Sequence, residues 1–177
     1  MVNKKGLGKS AIVPISIIVI LALLFFLLIR SERSNQMHEK YQIEQSRKNT
    51  VDVARENKEL LDSLAKRLYS QEVEIFVDYS DGQIQYEENV NGKKWESKSM
   101  DSDMESLLLI LFDSLECESI VVLYEEDYGK ILKIYMDDIR VFGRNIGSKS
   151  LIYCENKSEY LHDEILPNWY YEPVFNV

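Results

Sequence analysis

The stretch EVEIFVDYSDGQIQYEENVNGKKW, residues 72–95, decides what kind of domain this chain can build. Apolar and polar residues alternate from Glu72 to Tyr79, the two-residue period of a strand with one buried face. Asp81-Gly82 interrupts the alternation, Ile84 and Tyr86 resume it, and Asn91-Gly92 interrupts it again before Trp95. Both dipeptides supply the positive φ angles that tight hairpins need. If each loop holds two residues, Tyr79 opposes Ile84 and Val77 opposes Tyr86, while Glu88 opposes both Ile75 and Trp95. The expected product is a three-stranded antiparallel meander with Glu88 as the polar residue of an otherwise apolar face.

Downstream, Ser102-Asp103-Met104-Glu105 has the Ser-x-x-Glu spacing of a capping box. Leu107 to Phe112 leaves no polar position, so the helix it opens is expected to be buried on most sides against the sheet. Ile120–Tyr124 reads as a central strand and Ile131–Met136 as its return, with a turn at Asp127–Lys130. Ile139–Phe142 and Leu151–Cys154 read as two more strands separated by a loop from Gly143 to Gly147. Asn156 is expected to cap a short helix ending at Pro167, after which Trp169-Tyr170-Tyr171 packs back on the sheet. Residues 71–177 thus predict one acidic α+β domain: a β-meander, a buried helix and three or four further strands.

Upstream of residue 71 the pattern is helical throughout. Ser31 to Ser70 holds no glycine or proline, and Leu60, Leu61, Leu64 and Leu68 form a stripe in its last turns. Residues 30–70 are therefore expected to be a helical stalk that docks on the domain. Ala11 to Ile29 carries no charge and, at about 1.5 Å per residue, spans roughly the 30 Å of a bilayer core. It reads as a retained single-pass transmembrane helix, because Arg30-Ser31-Glu32-Arg33 follows it without a small-residue cleavage pattern. Residues 1–10 form a short basic tail. Within it Gly8-Lys9-Ser10 resembles the end of a phosphate-binding loop, but Asn3 stands where the opening glycine belongs and no strand precedes it.

Charge is distributed unevenly between the two halves. Residues 1–70 hold twelve Lys or Arg against seven Asp or Glu, a net of +5, whereas residues 71–177 hold nine against twenty-three, a net of −14. The acidic half is expected to repel nucleic acid, whose phosphates demand a basic surface unless a metal ion or basic partner intervenes. Lys4, Lys5 and Lys9 face Arg30 and Arg33 across the span, a bias that puts the amino terminus in the cytoplasm and the acidic domain outside it, at the cell membrane.

An apolar helix continuing into a polar helix and then an antiparallel sheet is similar to the architecture of type IV pilins and their minor relatives. That resemblance implies a subunit of a secretion or pilus system, although Ala11 or Val13 stands where those subunits usually carry a glutamate. Enzymatic chemistry has one candidate. Asp138 ahead of a strand ending in Glu155-Asn156-Lys157 is similar to the core of a metal-dependent nuclease, in which carboxylates hold magnesium and the lysine steadies a water. Asp101, Asp103 and Glu105 offer oxygen ligands but have Ser106 and Phe112 where a calcium loop needs glycine and glutamate. His38 and His162 are too few for a histidine-rich metal site, and Cys117 and Cys154 lack zinc-ligand spacing. No cofactor motif is present. A non-enzymatic, membrane-anchored module that binds another protein is the expected function.

Overall fold

The structure is a computed structural model that describes residues 12–90, 92, 94–141, 143–156 and 161–175. Side chains of residues 12–20, 22, 90 and 141 lie outside that description, as do Lys4, Lys5, Lys9, Ala11 and Lys157 entirely. The fold is mixed α+β, with an antiparallel eight-stranded sheet and three α-helices. Contacts divide it into two units, Met1–Gln42 and Ile43–Val177.

Helix α1 covers Ile12–Glu56. Among the described residues no helix is long and apolar enough to cross a membrane. The described side chains of the apolar run start at Leu21, and the run ends before Arg30. Tyr41 and Met37 are exposed, whereas Thr50, Val51 and Ala54 are buried within the second unit. The segment expected as a stalk over residues 30–70 is thus divided, its part from Ile43 onward belonging to the sheet-bearing unit. Asn57 ends α1 by donating its side-chain amide to the Val53 carbonyl at 3.0 Å, a local bond that competes with helix continuation.

Helix α2 (Lys58–Leu64) runs into a π-helical turn over Ala65–Tyr69. The wider turn lets Leu68 and Tyr69, adjacent in sequence, both be buried with Leu61, Leu64 and Ala65. Tyr69 donates its hydroxyl to the Lys130 carbonyl at 3.0 Å. Lys130 in turn lies over the Tyr69 ring at 5.1 Å and donates to the Gln71 carbonyl just past the turn. A cation at a helix carboxyl end meets the negative pole of the backbone dipoles, so this pair fastens the last helical turn to the sheet.

The meander forms β1 (Glu74–Ser80), β2 (Gln83–Val90) and β3 (Lys94–Ser97). The β1–β2 register places Tyr79 against Ile84, Val77 against Tyr86 and Ile75 against Glu88. The second turn differs from expectation: Val90 pairs with Lys94, leaving three residues in the loop, and Trp95 opposes Asn89 instead of Glu88. A one-residue slip sends every following side chain to the other face. Trp95 therefore meets Phe76, edge to ring at 6.4 Å, on the side away from the helices.

Helix α3 (Ser102–Leu115) carries the chain from the edge strand β3 back across the sheet to β4 (Cys117–Glu125), which pairs with β1. Its cap is Asp101, not Ser102; the Asp101 carboxylate accepts from the Met104 amide at 2.7 Å. The helix is also buried on one side only. Met104, Leu108, Leu111, Phe112 and Leu115 are covered, while Leu109 and Ile110 are exposed. An outer-layer helix has one sheet beneath it, so a continuous apolar run cannot all be covered.

Strands β5 (Gly129–Val141) and β6 (Arg144–Tyr153) correct the sequence reading in a second place. Ile139–Val141 prolongs β5, and the loop expected from Gly143 to Gly147 is mostly strand, because Val141 pairs with Arg144. Gly147 marks close approach, not a turn: a Cβ there would strike the backbone carbonyl of Val174. The helix expected after Asn156 is absent among the described residues, which place β7 (Glu164–Leu166) and β8 (Trp169–Phe175) there. Leu161 and Ile165 have helical spacing but enter clusters on opposite faces of the sheet. A chain crossing the sheet edge does that; one helix face does not.

The strand order is β3-β2-β1-β4-β5-β6-β8-β7. The helix face packs Ile75, Val77, Ile120, Val122, Leu132, Ile134, Leu151 and Trp169 against α3, α2 and the end of α1. The outer face holds a smaller cluster of Ile131, Ile152, Cys154, Leu161 and Tyr170, flanked by Leu123 and Tyr128. Arg47 of α1 joins the segment before β7 through two 2.6 Å hydrogen bonds to the Asp163 carboxylate.

Candidate functional site

The residues nominated for nuclease chemistry are not brought together. Asp138 pairs with Ser148 in the β5–β6 ladder and sits 3.6 Å from Arg140. Glu155 lies seven residues beyond Ser148, past the end of β6, and accepts from the Tyr153 hydroxyl at 3.3 Å. Lys157 lies outside the described residues. At the start of α3, Asp101 is engaged as the cap, with Arg67 3.8 Å away. Among the described residues no three His, Cys, Asp or Glu side chains are grouped to hold a metal.

The thiols are free and buried in different clusters, Cys117 on the helix face and Cys154 on the outer face. Burial pushes the Cys117 thiol up to about 12, so it stays protonated at neutral pH and is no nucleophile. His162 is exposed in the irregular segment before β7, not on the helix expected there.

A cleft of about 420 Å³ opens beside the end of α1 and the end of α3. Asp52, Glu56, Glu116 and Asp137 line it with Lys149, Thr50 and Ser114. The Thr50 hydroxyl donates to the Ser46 carbonyl within its own helix, and no hydroxyl in the cleft is bonded to a base among the described residues. The cleft thus presents mixed charge beside the hydroxyls of Thr50 and Ser114.

The outer face of β1–β4 offers a second surface. Strand alternation and register put Glu74, Phe76 and Asp78 of β1, Gln85, Glu87 and Asn89 of β2, Trp95 and Ser97 of β3, and Ser119 and Val121 of β4 on this side. Phe76 has Glu87 directly opposite and Glu74 and Asp78 two residues away along its own strand. Glu74 accepts from the Asn89 side-chain amide at 2.6 Å, while the Asn89 side-chain oxygen, shielded from water, has no partner among the described residues. Trp95 is 45% exposed.

One cation on this face is already engaged. Lys133, opposite Val121, reaches Glu172 at 2.5 Å, and the Ser150 hydroxyl donates to the same carboxylate oxygen at 3.1 Å. Burial works against the Lys133 charge, but the hydrogen bond and attraction of Glu172 prevail and raise its pKa. No Lys or Arg pairs with Glu74, Asp78 or Glu87 among the described residues. Sequence reading missed this surface because it rests on the face taken by Trp95, which the second loop controls; the lysine pair after Asn91-Gly92 is the only local hint of a longer turn.

No protein-family model, no curated protein and no solved structure matches the chain.

Proposed function

We propose that this chain is a single-pass membrane-anchored binding module. Ala11–Ile29 crosses the bilayer with Lys4, Lys5 and Lys9 on the cytoplasmic side and Arg30 and Arg33 beyond the span. The acidic α+β unit lies outside the cytoplasm and engages another protein. One observation carries the reading: Leu21, Leu23, Leu24, Phe25, Phe26, Leu27 and Leu28 are 51–67% exposed on consecutive turns of α1. Each such side chain gains about 1.5–3 kcal/mol on leaving water, so the seven together support an apolar medium around the helix. The mixture of acidic and basic groups in the cleft supports the binding reading.

Fractionation tests it. The full chain is expected in the membrane pellet after alkaline carbonate washing, and replacement of Leu24 and Phe25 by arginine moves it to the supernatant. A reporter fused after Val177 is expected to be active only outside the cytoplasm. Recovery of the unaltered chain in the soluble fraction would overturn the reading.

A further inference from the structure

We infer that the uncovered part of the outer sheet face, centred on Phe76 and Trp95, takes a cationic polypeptide segment. The inference rests on the binding-module reading and gives it a place and a chemistry. The outer face is treated unequally along the sheet. Over β5, β6 and β8 it is covered by Leu161 and Tyr128. Over β1, β2 and β3 it leaves Trp95 half exposed with its edge against Phe76. Exposed tryptophan beside a second ring is the composition of an interface anchor, since rigid aromatic area is covered at little entropic cost.

Charge selects the occupant. Glu74, Asp78 and Glu87 surround Phe76 on three sides with no cation paired to them among the described residues, and Lys133 is held by Glu172. Asn89, opposite Trp95, donates its side-chain amide to Glu74 and adds no charge to the strip. An apolar centre ringed by acceptors is complementary to lysine or arginine side chains carried on a chain with aliphatic residues between them. It repels nucleic acid and anionic lipid alike.

The two tryptophans allow a direct test, because Trp169 is fully buried on the other face and Trp95 reports on the strip. The full chain in zwitterionic nanodiscs is titrated with a short synthetic peptide alternating lysine and valine. Comparison peptides carry glutamine or glutamate in place of lysine. The lysine peptide is expected to shift the Trp95 emission to the blue, and the glutamate peptide to leave it unchanged. Combined Glu74→Gln, Asp78→Asn and Glu87→Gln weakens the lysine peptide about tenfold, the sum of three half-exposed ion pairs. Glu105→Gln with Asp113→Asn on α3, which removes charge elsewhere, leaves binding unchanged.

Equal binding of the glutamine peptide would overturn the cationic chemistry while leaving the anchored-module reading intact. No emission change with any peptide at millimolar concentration, in a chain whose circular dichroism is unaltered, would overturn the site itself. Equal weakening by the α3 variant would assign the effect to overall charge and overturn the site as well. The membrane fractionation reads the anchoring separately from all three outcomes.

Discussion

The two faces of this one sheet obey different rules. On the helix face, every strand except the edge strand β3 contributes buried aliphatic or aromatic side chains under α2, α3 and the end of α1. On the outer face, the same strands alternate to a mostly buried ion pair, a small apolar cluster and an open strip with three carboxylates. Identical backbone geometry supports both, so the difference lies in what covers each face. Where helices cover, the side chains supply stability; where nothing covers, they are free to supply recognition.

The sharpest way to break this contrast is to truncate matching residues on each side. Leu111→Ala removes a fully buried side chain from the centre of the helix face and is expected to cost about 3 kcal/mol in urea unfolding. A loss under about 1 kcal/mol would mean that α3 does not hold the sheet. Gly147→Ala acts between the faces, in the β6–β8 ladder: the added methyl strikes the Val174 carbonyl, and about 2 kcal/mol is expected from the forced backbone shift.

Glu172→Gln leaves Lys133, whose side chain is only 12% exposed, without its charged partner. A loss of about 1–2 kcal/mol is expected, between the core value and the near-zero value of an exposed pair. The simultaneous change Lys133→Met and Glu172→Leu restores most of it, since two apolar groups need no partner; a double-mutant cycle checks this.

Alkaline pH separates the faces in a different way. Tyr86 packs on the helix face and donates to Glu88 at 3.0 Å; burial first, and then the Glu88 charge, push its phenol up to about 12. A folded-state value above the unfolded one means that this contribution is complete below pH 10.0 and is lost as pH rises towards about 12. The urea midpoint is expected to fall over that interval, and Tyr86→Phe to fall less steeply. Trp95→Ala on the outer face has the smallest effect, within about 0.5 kcal/mol of the unaltered chain, because its ring is half exposed.

Much of this architecture is legible in single residues. Alternation from Glu72 and the Asp81-Gly82 turn dictate the β1–β2 register, and Asp81 and Gly82 both take positive φ as their types allow. The leucine stripe at residues 61, 64 and 68 identifies the helical face that docks. The candidate site was far less legible. Asp138, Glu155 and Lys157 are near one another in a sequence pattern, but the ladder places Ser148, not Glu155, beside Asp138.

What the sequence by itself determined is therefore local: helix, hairpin, turn and the polarity of charge, each a property of residues within a few positions of one another. Tertiary structure alone decided the rest. Asn156 to Leu166 has helix-compatible spacing, yet the Tyr171 amide donates to the Asp163 carbonyl at 2.9 Å, and pairing with β8 prevails over local propensity. Gly147 reads as a loop residue until Val174 of a distant strand occupies the space a side chain would need. Trp95 reaches the outer face because a third loop residue shifts its pairing, and which face is left open depends on helices more distant in the chain. Such choices are made by partners far apart in sequence, whose burial outweighs the preferences of any short segment.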